Sequence, residues 1–206
     1  MSLSAAEVKE LKKAPAVEGV LPAIHHRWSP RSFADKAVPS EILTKIFEAA
    51  RWSASSFNEQ PWRFFVGFKG DATYEKIFST LIGFNQSWAG KAPVLIFGVA
   101  STKFSHNGQP NGYGLYDLGA AVSLLTLQAA ELGVATHSMA GFDQAAALKT
   151  FEVPADYVAG AVTALGYQGE PAELGHDQMI AMEEAPRERK PLSEIALSAW
   201  GVPAKL

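Results

Sequence analysis

Two blocks, Arg27-Trp28-Ser29-Pro30-Arg31-Ser32-Phe33 and Ser53-Ala54-Ser55-Ser56-Phe57-Asn58-Glu59-Gln60-Pro61-Trp62, bracket one amphipathic segment. The first places two fixed positive charges and a hydroxyl within five residues: Arg27, Ser29 and Arg31. Guanidinium groups suit phosphate because they donate parallel, charge-assisted hydrogen bonds. The second block is polar and turn-prone and ends on an apolar anchor, Trp62. Charge for an anion, then a helix, then a hydrogen-bonding loop is an arrangement suited to gripping a phosphorylated cofactor at both ends.

Working outward, the intervening segment predicts a helix from Glu41, capped by Ser40, with Ile42, Leu43, Ile46, Phe47 and Ala50 on one face. Residues 63–69 predict a strand, and residues 74–89 repeat the helical pattern. Residues 94–100 are continuously apolar, as a strand covered on both faces is. Asp117 is a suitable cap for a further helix that is apolar nearly all round, with Gly133 just past its end. Short strands at 134–138 and 158–167 flank a helix at 144–151. The intermixing predicts a central sheet sandwiched by helices. The tail after Gly169 is rich in Pro, Glu and Arg, with an apolar patch at 192–200. It is too polar for a core of its own and is expected to lie over another surface, one that a second subunit can supply.

The 206 residues read as a single domain, 48% hydrophobic and 19% charged, outside the range of disordered chains. A net charge of -3 gives no electrostatic basis for binding nucleic acid. There are no cysteines, which excludes disulfides, thiolate metal sites and a thiol nucleophile, so redox chemistry requires a bound cofactor. Residues 4–13 have the mixed charges of an exposed helix, and no apolar run reaches membrane-spanning length. A cytoplasmic location without membrane contact is the expectation. The five histidines lack ligand spacing, and no metal is expected. Gly112-Tyr113-Gly114 has Asp117 where a dinucleotide loop needs its third glycine, and it reads as a loop before a helix. No nucleophile elbow or acid–base pair is present, so no side chain is expected to be catalytic in its own right.

From about Ile24 to Ile195 the chain resembles the FMN-dependent nitroreductase family. The first block matches the family's Arg-x-Ser-x-Arg/Lys motif, and residues 55–62 match its Ser-x-x-Asn-x-Gln-Pro-Trp loop. Arg187-Glu188-Arg189-Lys190-Pro191-Leu192 is similar to its basic-x-Arg-x-Pro-Leu motif, with arginine where lysine is frequent. The resemblance implies that Arg27, Ser29, Arg31, Arg187 and Arg189 hold the phosphate and ribityl chain of FMN, with the Trp28 backbone alongside. It implies that Ser55, Ser56 and Asn58 approach the flavin bound mainly by the other subunit. Asn85 would meet the pyrimidine edge, unless it is a capping or surface residue. The amides of Ala140 and Gly141 would face N5 and O4, although Gly141 also suits a tight turn, and many relatives carry glutamate in place of Ala140.

The implied fold is α+β: a mixed or antiparallel sheet sandwiched by helices, in a homodimer with the C-terminal tail on the partner subunit. The implied reaction is two-step. NADH or NADPH reduces FMN, and a small-molecule acceptor such as a nitroaromatic or quinone then takes two electrons. Phe84, Trp88, Phe104 and Tyr113 are expected to wall the acceptor, and residues 105–116 form either an ordered wall or a mobile lid. Alternatives are a flavin-binding or sensing protein with little turnover, and a branch specialised in reductive dehalogenation or flavin cleavage.

Overall fold

The computed structural model describes residues 2–206. Four strands form one antiparallel sheet in the order β1 (Trp62–Phe68), β2 (Val94–Ser101), β4 (Tyr157–Gly166), β3 (Ala135–Met139). β2 lies between β1 and β4; Leu95 faces Gly67 on one side and Ala164 on the other.

The apolar run in β2 is explained by two cores. Leu95, Phe97 and Val99 point into one, and Val94, Ile96 and Ala100 into the other. The period-two pleat sends alternate side chains to opposite faces, and both faces are covered. One face packs against α3 (Ser40–Arg51) and α6 (Gly114–Glu131) through Leu43, Ile46, Leu118, Ala121 and Leu125. The other packs against α4 (Ala72–Ser79), α5 (Gly83–Ala89) and α7 (Gln144–Thr150) through Tyr74, Ile77, Trp88 and Ala147. Phe97 is 0% exposed, and truncating such a ring to Ala costs about 3–5 kcal/mol. Gly67 in β1 is required by contact: a Cβ there would lie 2.4 Å from the backbone of Tyr74 at the start of α4.

The helix faces follow the sequence, but several boundaries do not. α3 begins at Ser40, which lies inside the helix, so its hydroxyl makes no cap. α6 begins at Gly114; Asp117 sits within its first turn and does not cap it. Gly133 follows α6 with φ 72°, the left-handed conformation expected just past a helix end. The helical pattern of residues 74–89 breaks in two because Leu81 pairs with Phe142 and the Ile82 amide donates to the Gly141 carbonyl at 3.1 Å. Asp71 caps α4, accepting from the Tyr74 amide at 2.6 Å.

α1 (Ala5–Leu11) carries a complete capping box, with Ser4 and Glu7 satisfying each other's amides. α2 (Pro22–His26) leads directly into Arg27. The polar tail divides into two parts. Its first part folds onto its own chain through α8 (Asp177–Glu184), which buries Met179 and Glu183. The second part contains α9 (Leu192–Ile195) and a hairpin of β5 (Leu197–Ala199) and β6 (Val202–Pro203). It leaves Leu192, Ile195 and Trp200 exposed, Trp200 at 98%. The outer face of α6 likewise exposes Leu115, Tyr116 and Leu124. No helix among the described residues is long and apolar enough to cross a membrane.

Candidate functional site

Beyond α2 the chain runs extended through Ser29 and is pinned residue by residue. His137 Nδ1 lies 3.0 Å from the Pro30 carbonyl, a contact that needs the proton on Nδ1. The Arg31 and Ser32 amides donate to Glu183. The Gly169 amide donates to the Ser32 carbonyl at 3.0 Å, and the Ala34 amide to Tyr167 at 2.9 Å. The Trp28 side chain is buried beneath the ammonium of Lys12, 4.9 Å from the ring, so it is structural.

This pinned segment walls a cavity of about 770 Å³, into which Arg27, Ser29, Arg187 and Arg189 converge from opposite ends of the chain. None of these arginines is in an ion pair among the described residues. The Nε atoms of Arg27 and Arg31 are buried without a hydrogen-bond partner. Burial, and then the nearby Arg189, lowers the basicity of Arg27. Burial, then Arg27 and Arg189, does the same to Arg187. Three cations facing one another with no carboxylate in the lining give the cavity a charge that suits an anion. Arg31 is not part of this cavity; its guanidinium lies 5.9 Å over the ring of Phe84. Arg187 has a double task, because it also donates to the backbone carbonyls of Arg27 and His25.

A second cluster lies where β3 ends. The Gly141 carbonyl accepts from Asn85 Nδ2 at 2.8 Å and from the Ile82 amide. The amides of Ala140 and Gly141 donate no hydrogen bond among the described residues. Two adjacent free N–H groups are suited to stabilising negative charge on a bound ring. Gly141 is there for close approach: a Cβ would lie 2.7 Å from both Asn85 Nδ2 and Ile82 Cδ1.

The third cluster is the loop from Ser55 to Gln60. Phe57, Asn58 and Gln60 all have left-handed φ, at 53°, 54° and 51°. Such strain persists only where surroundings fix it, and it concentrates at functional sites. Asp117 accepts the Ser56 amide at 3.1 Å, Ser55 Oγ accepts the Gln60 amide at 3.0 Å, and Glu59 accepts from the amide and hydroxyl of Ser105. Phe57 is 82% exposed and meets Phe104 edge-on at 5.6 Å. None of Ser55, Ser56 and Asn58 lines the arginine cavity.

Of the expected acceptor wall, Phe84 and Tyr113 are exposed, and Phe104 is half-buried against Phe57 and His106. Trp88 is 1% exposed and stacks in the core beside Phe33 and His137, which removes it from any accessible wall. Residues 102–113 form a hydrogen-bonded turn in which Lys103 bridges Pro110 and the Asn111 amide donates to Thr102. Sequence reasoning missed Glu183, His137 and Glu59, each of which reads as an ordinary polar residue until its partner is known.

The sequence profile of the nitroreductase family matches residues 24–83 and 68–167. A Mycolicibacterium smegmatis protein described only as an uncharacterized 15.4 kDa protein is 35% identical over 150 residues, covering 68% of this chain and 99% of the relative. An Archaeoglobus fulgidus protein provisionally named NADH dehydrogenase/NAD(P)H nitroreductase is 28% identical over 155 residues, covering 73% of this chain and 86% of its own. Among solved structures, one described as an oxidoreductase containing FMN superposes with a TM-score of 0.83 at 30% identity, over 94% of this chain and 97% of the other. A Desulfovibrio desulfuricans protein in complex with FMN shares the fold, with a TM-score of 0.67 at 23% identity over 89% and 98% of the two chains.

Proposed function

Because this chain belongs to the nitroreductase family of oxidoreductases, we propose that it binds FMN and passes two electrons from NADH or NADPH to a small acceptor of the nitroaromatic or quinone type. The observation that carries this reading is the unmatched convergence of Arg27, Arg187 and Arg189 on one cavity, which suits a phosphate monoester. Bound FMN supplies the hydride chemistry, which explains the lack of a catalytic acid–base pair.

The chain's own residues bind and polarise. Ser29 and the three arginines hold the phosphate end. The free amides of Ala140 and Gly141, with Asn85 behind them, face the ring. Phe84 and Tyr113 are exposed and available to an aromatic acceptor. The strained loop at Ser55, Ser56 and Asn58 is separate from its own chain's arginine cavity, so we assign it to the flavin of a second copy. The exposed apolar faces of α6 and the C-terminal hairpin support that homodimer.

The decisive experiment is NAD(P)H oxidation by the flavin-loaded protein with a nitroaromatic and with a quinone. Acceptor-dependent turnover is expected. Flavin retention with no turnover on either acceptor would leave a flavin-binding protein and remove the reductase. Failure to take up FMN at all would remove the cofactor assignment. Sedimentation should give a dimer, and a flavin-saturated monomer would contradict the shared site.

A further inference from the structure

Glu183 is 0% exposed and lies in the last turn of α8. Its Oε1 accepts the amides of Arg31 and Ser32, each at 3.0 Å, and the Ser32 hydroxyl at 2.6 Å. Its Oε2 accepts the Arg31 amide at 3.1 Å. A buried carboxylate is costly unless it is fully hydrogen-bonded. Here the compensation comes from two consecutive residues of the segment that walls the arginine cavity.

The surroundings of Glu183 explain its placement. Lys12, the residue that follows α1, donates to the Met182 and Ala185 carbonyls at the end of α8, closing its C-terminus with a cation. His137, from β3, holds the Pro30 carbonyl. Successive peptide units of the segment are therefore clamped, by His137 at Pro30 and by Glu183 at Arg31 and Ser32. The chain leaving α8 then delivers Arg187, which donates to the Arg27 and His25 carbonyls, and Arg189, which lines the cavity. Residues 183–189 thus hold the 25–32 segment through its amides at one end and its carbonyls at the other. They also supply two of the three cavity arginines.

We infer that Glu183 is a positioning residue for anion binding: it sets the register between the 25–32 segment and the 183–189 segment, and so the spacing of Arg27, Ser29, Arg187 and Arg189 around a phosphate. It touches no ligand itself. The inference rests on the FMN reading and deepens it. Loss of Glu183 should weaken recognition of the phosphate selectively and leave recognition of the ring intact.

The test titrates the full-length, flavin-free chain with FMN and with riboflavin, following flavin fluorescence. Wild-type protein should prefer FMN; equal affinity for both would remove the phosphate assignment itself, whatever Glu183 does. In Glu183→Gln the side chain keeps its shape but loses its negative charge, and an NH2 donor replaces one acceptor oxygen and faces the Arg31 amide. FMN affinity should fall about tenfold or more, as expected for a lost charged hydrogen-bond set, with riboflavin affinity changed by less than about twofold. An equal loss for both ligands would make Glu183 a general scaffold residue, and no loss for either would make it irrelevant; both results overturn the inference. Should Glu183→Gln fail to fold, Ser32→Ala removes only the 2.6 Å contact. It should narrow the FMN-to-riboflavin preference in the same direction by a smaller factor. A preference unchanged from wild type in that variant would again overturn it.

Discussion

Arg187 donates from Nη1 to the backbone carbonyl of Arg27 at 2.5 Å, so two residues of like charge are fastened together. The contact holds the cavity in shape against the repulsion among its cations. It also separates the roles of the two arginines. Arg27→Met should weaken FMN binding by about 1.5–3 kcal/mol, because phosphate charge goes unmatched. In flavin-free protein the same change removes a half-buried cation whose Nε is buried without a partner, and it should raise the melting temperature. Arg187→Met should lower both affinity and melting temperature, because it also severs the bonds to Arg27 and His25. Thermal melts with and without FMN check the pair; a stability loss in flavin-free Arg27→Met would contradict the account.

His137 should make stability fall in acid. Burial holds its pKa below the usual 6.5, and Arg31 pushes the same way, against the opposing influence of the Pro30 and Ser29 carbonyls and Glu183. The sign follows from linkage. Above pH 6.5 the ring is neutral in both folded and unfolded chains, and it contributes no pH dependence. As pH falls below 6.5 the unfolded chain takes up the proton first, so stability is lost progressively down to the depressed folded value. Urea midpoints measured from about pH 8 to about pH 5 should therefore decline more steeply in wild type than in His137→Gln. Parallel curves would show that other groups dominate.

What was legible in the sequence depended on how far away each partner lay. The run in β2 was readable because its burial on both faces is written in contiguous residues. The break between α4 and α5 was not, because it is imposed by Phe142 and Gly141, some sixty residues on. Ser40 and Asp117 have the right chemistry for caps, but side-chain type does not show where the backbone turns into a helix. α8 was hidden by its polarity, since Met179 and Glu183 are its only fully buried residues and Ile180 alone joins them at the core. The motifs at Arg27 and Arg187 read as two halves of one phosphate grip; residues of both line one cavity, but Arg31, read with them, does not.

Asp117 should stabilise the strained loop rather than the start of its helix. It is 3% exposed and accepts the Ser56 amide next to three left-handed residues without glycine. Asp117→Ala should cost about 1.5–3 kcal/mol, and Asp117→Asn, which keeps an acceptor, should cost less. Hydrogen exchange at residues 56–60 should accelerate in the alanine variant. Unchanged exchange there would mean that the Glu59–Ser105 contacts alone hold the loop.

Gly141→Ala should separate ring recognition from phosphate recognition. The added methyl would meet only side-chain ends at 2.7 Å, the amide of Asn85 and Cδ1 of Ile82, so the fold can yield by moving them. The stability loss should stay in the range of about 1–3 kcal/mol typical of modest overpacking. The displaced Asn85 amide would give up its bond to the Gly141 carbonyl, and the donors beside it would shift with the loop. Under the proposed assignment these groups face the flavin ring, so FMN and riboflavin should lose affinity equally, and the absorption band of bound flavin should move. Asn85→Ala should reproduce part of that spectral change without the steric cost. A Gly141→Ala protein that binds both flavins as wild type does, with an unshifted band, would place the ring elsewhere. A loss confined to FMN would move this cluster to the phosphate end.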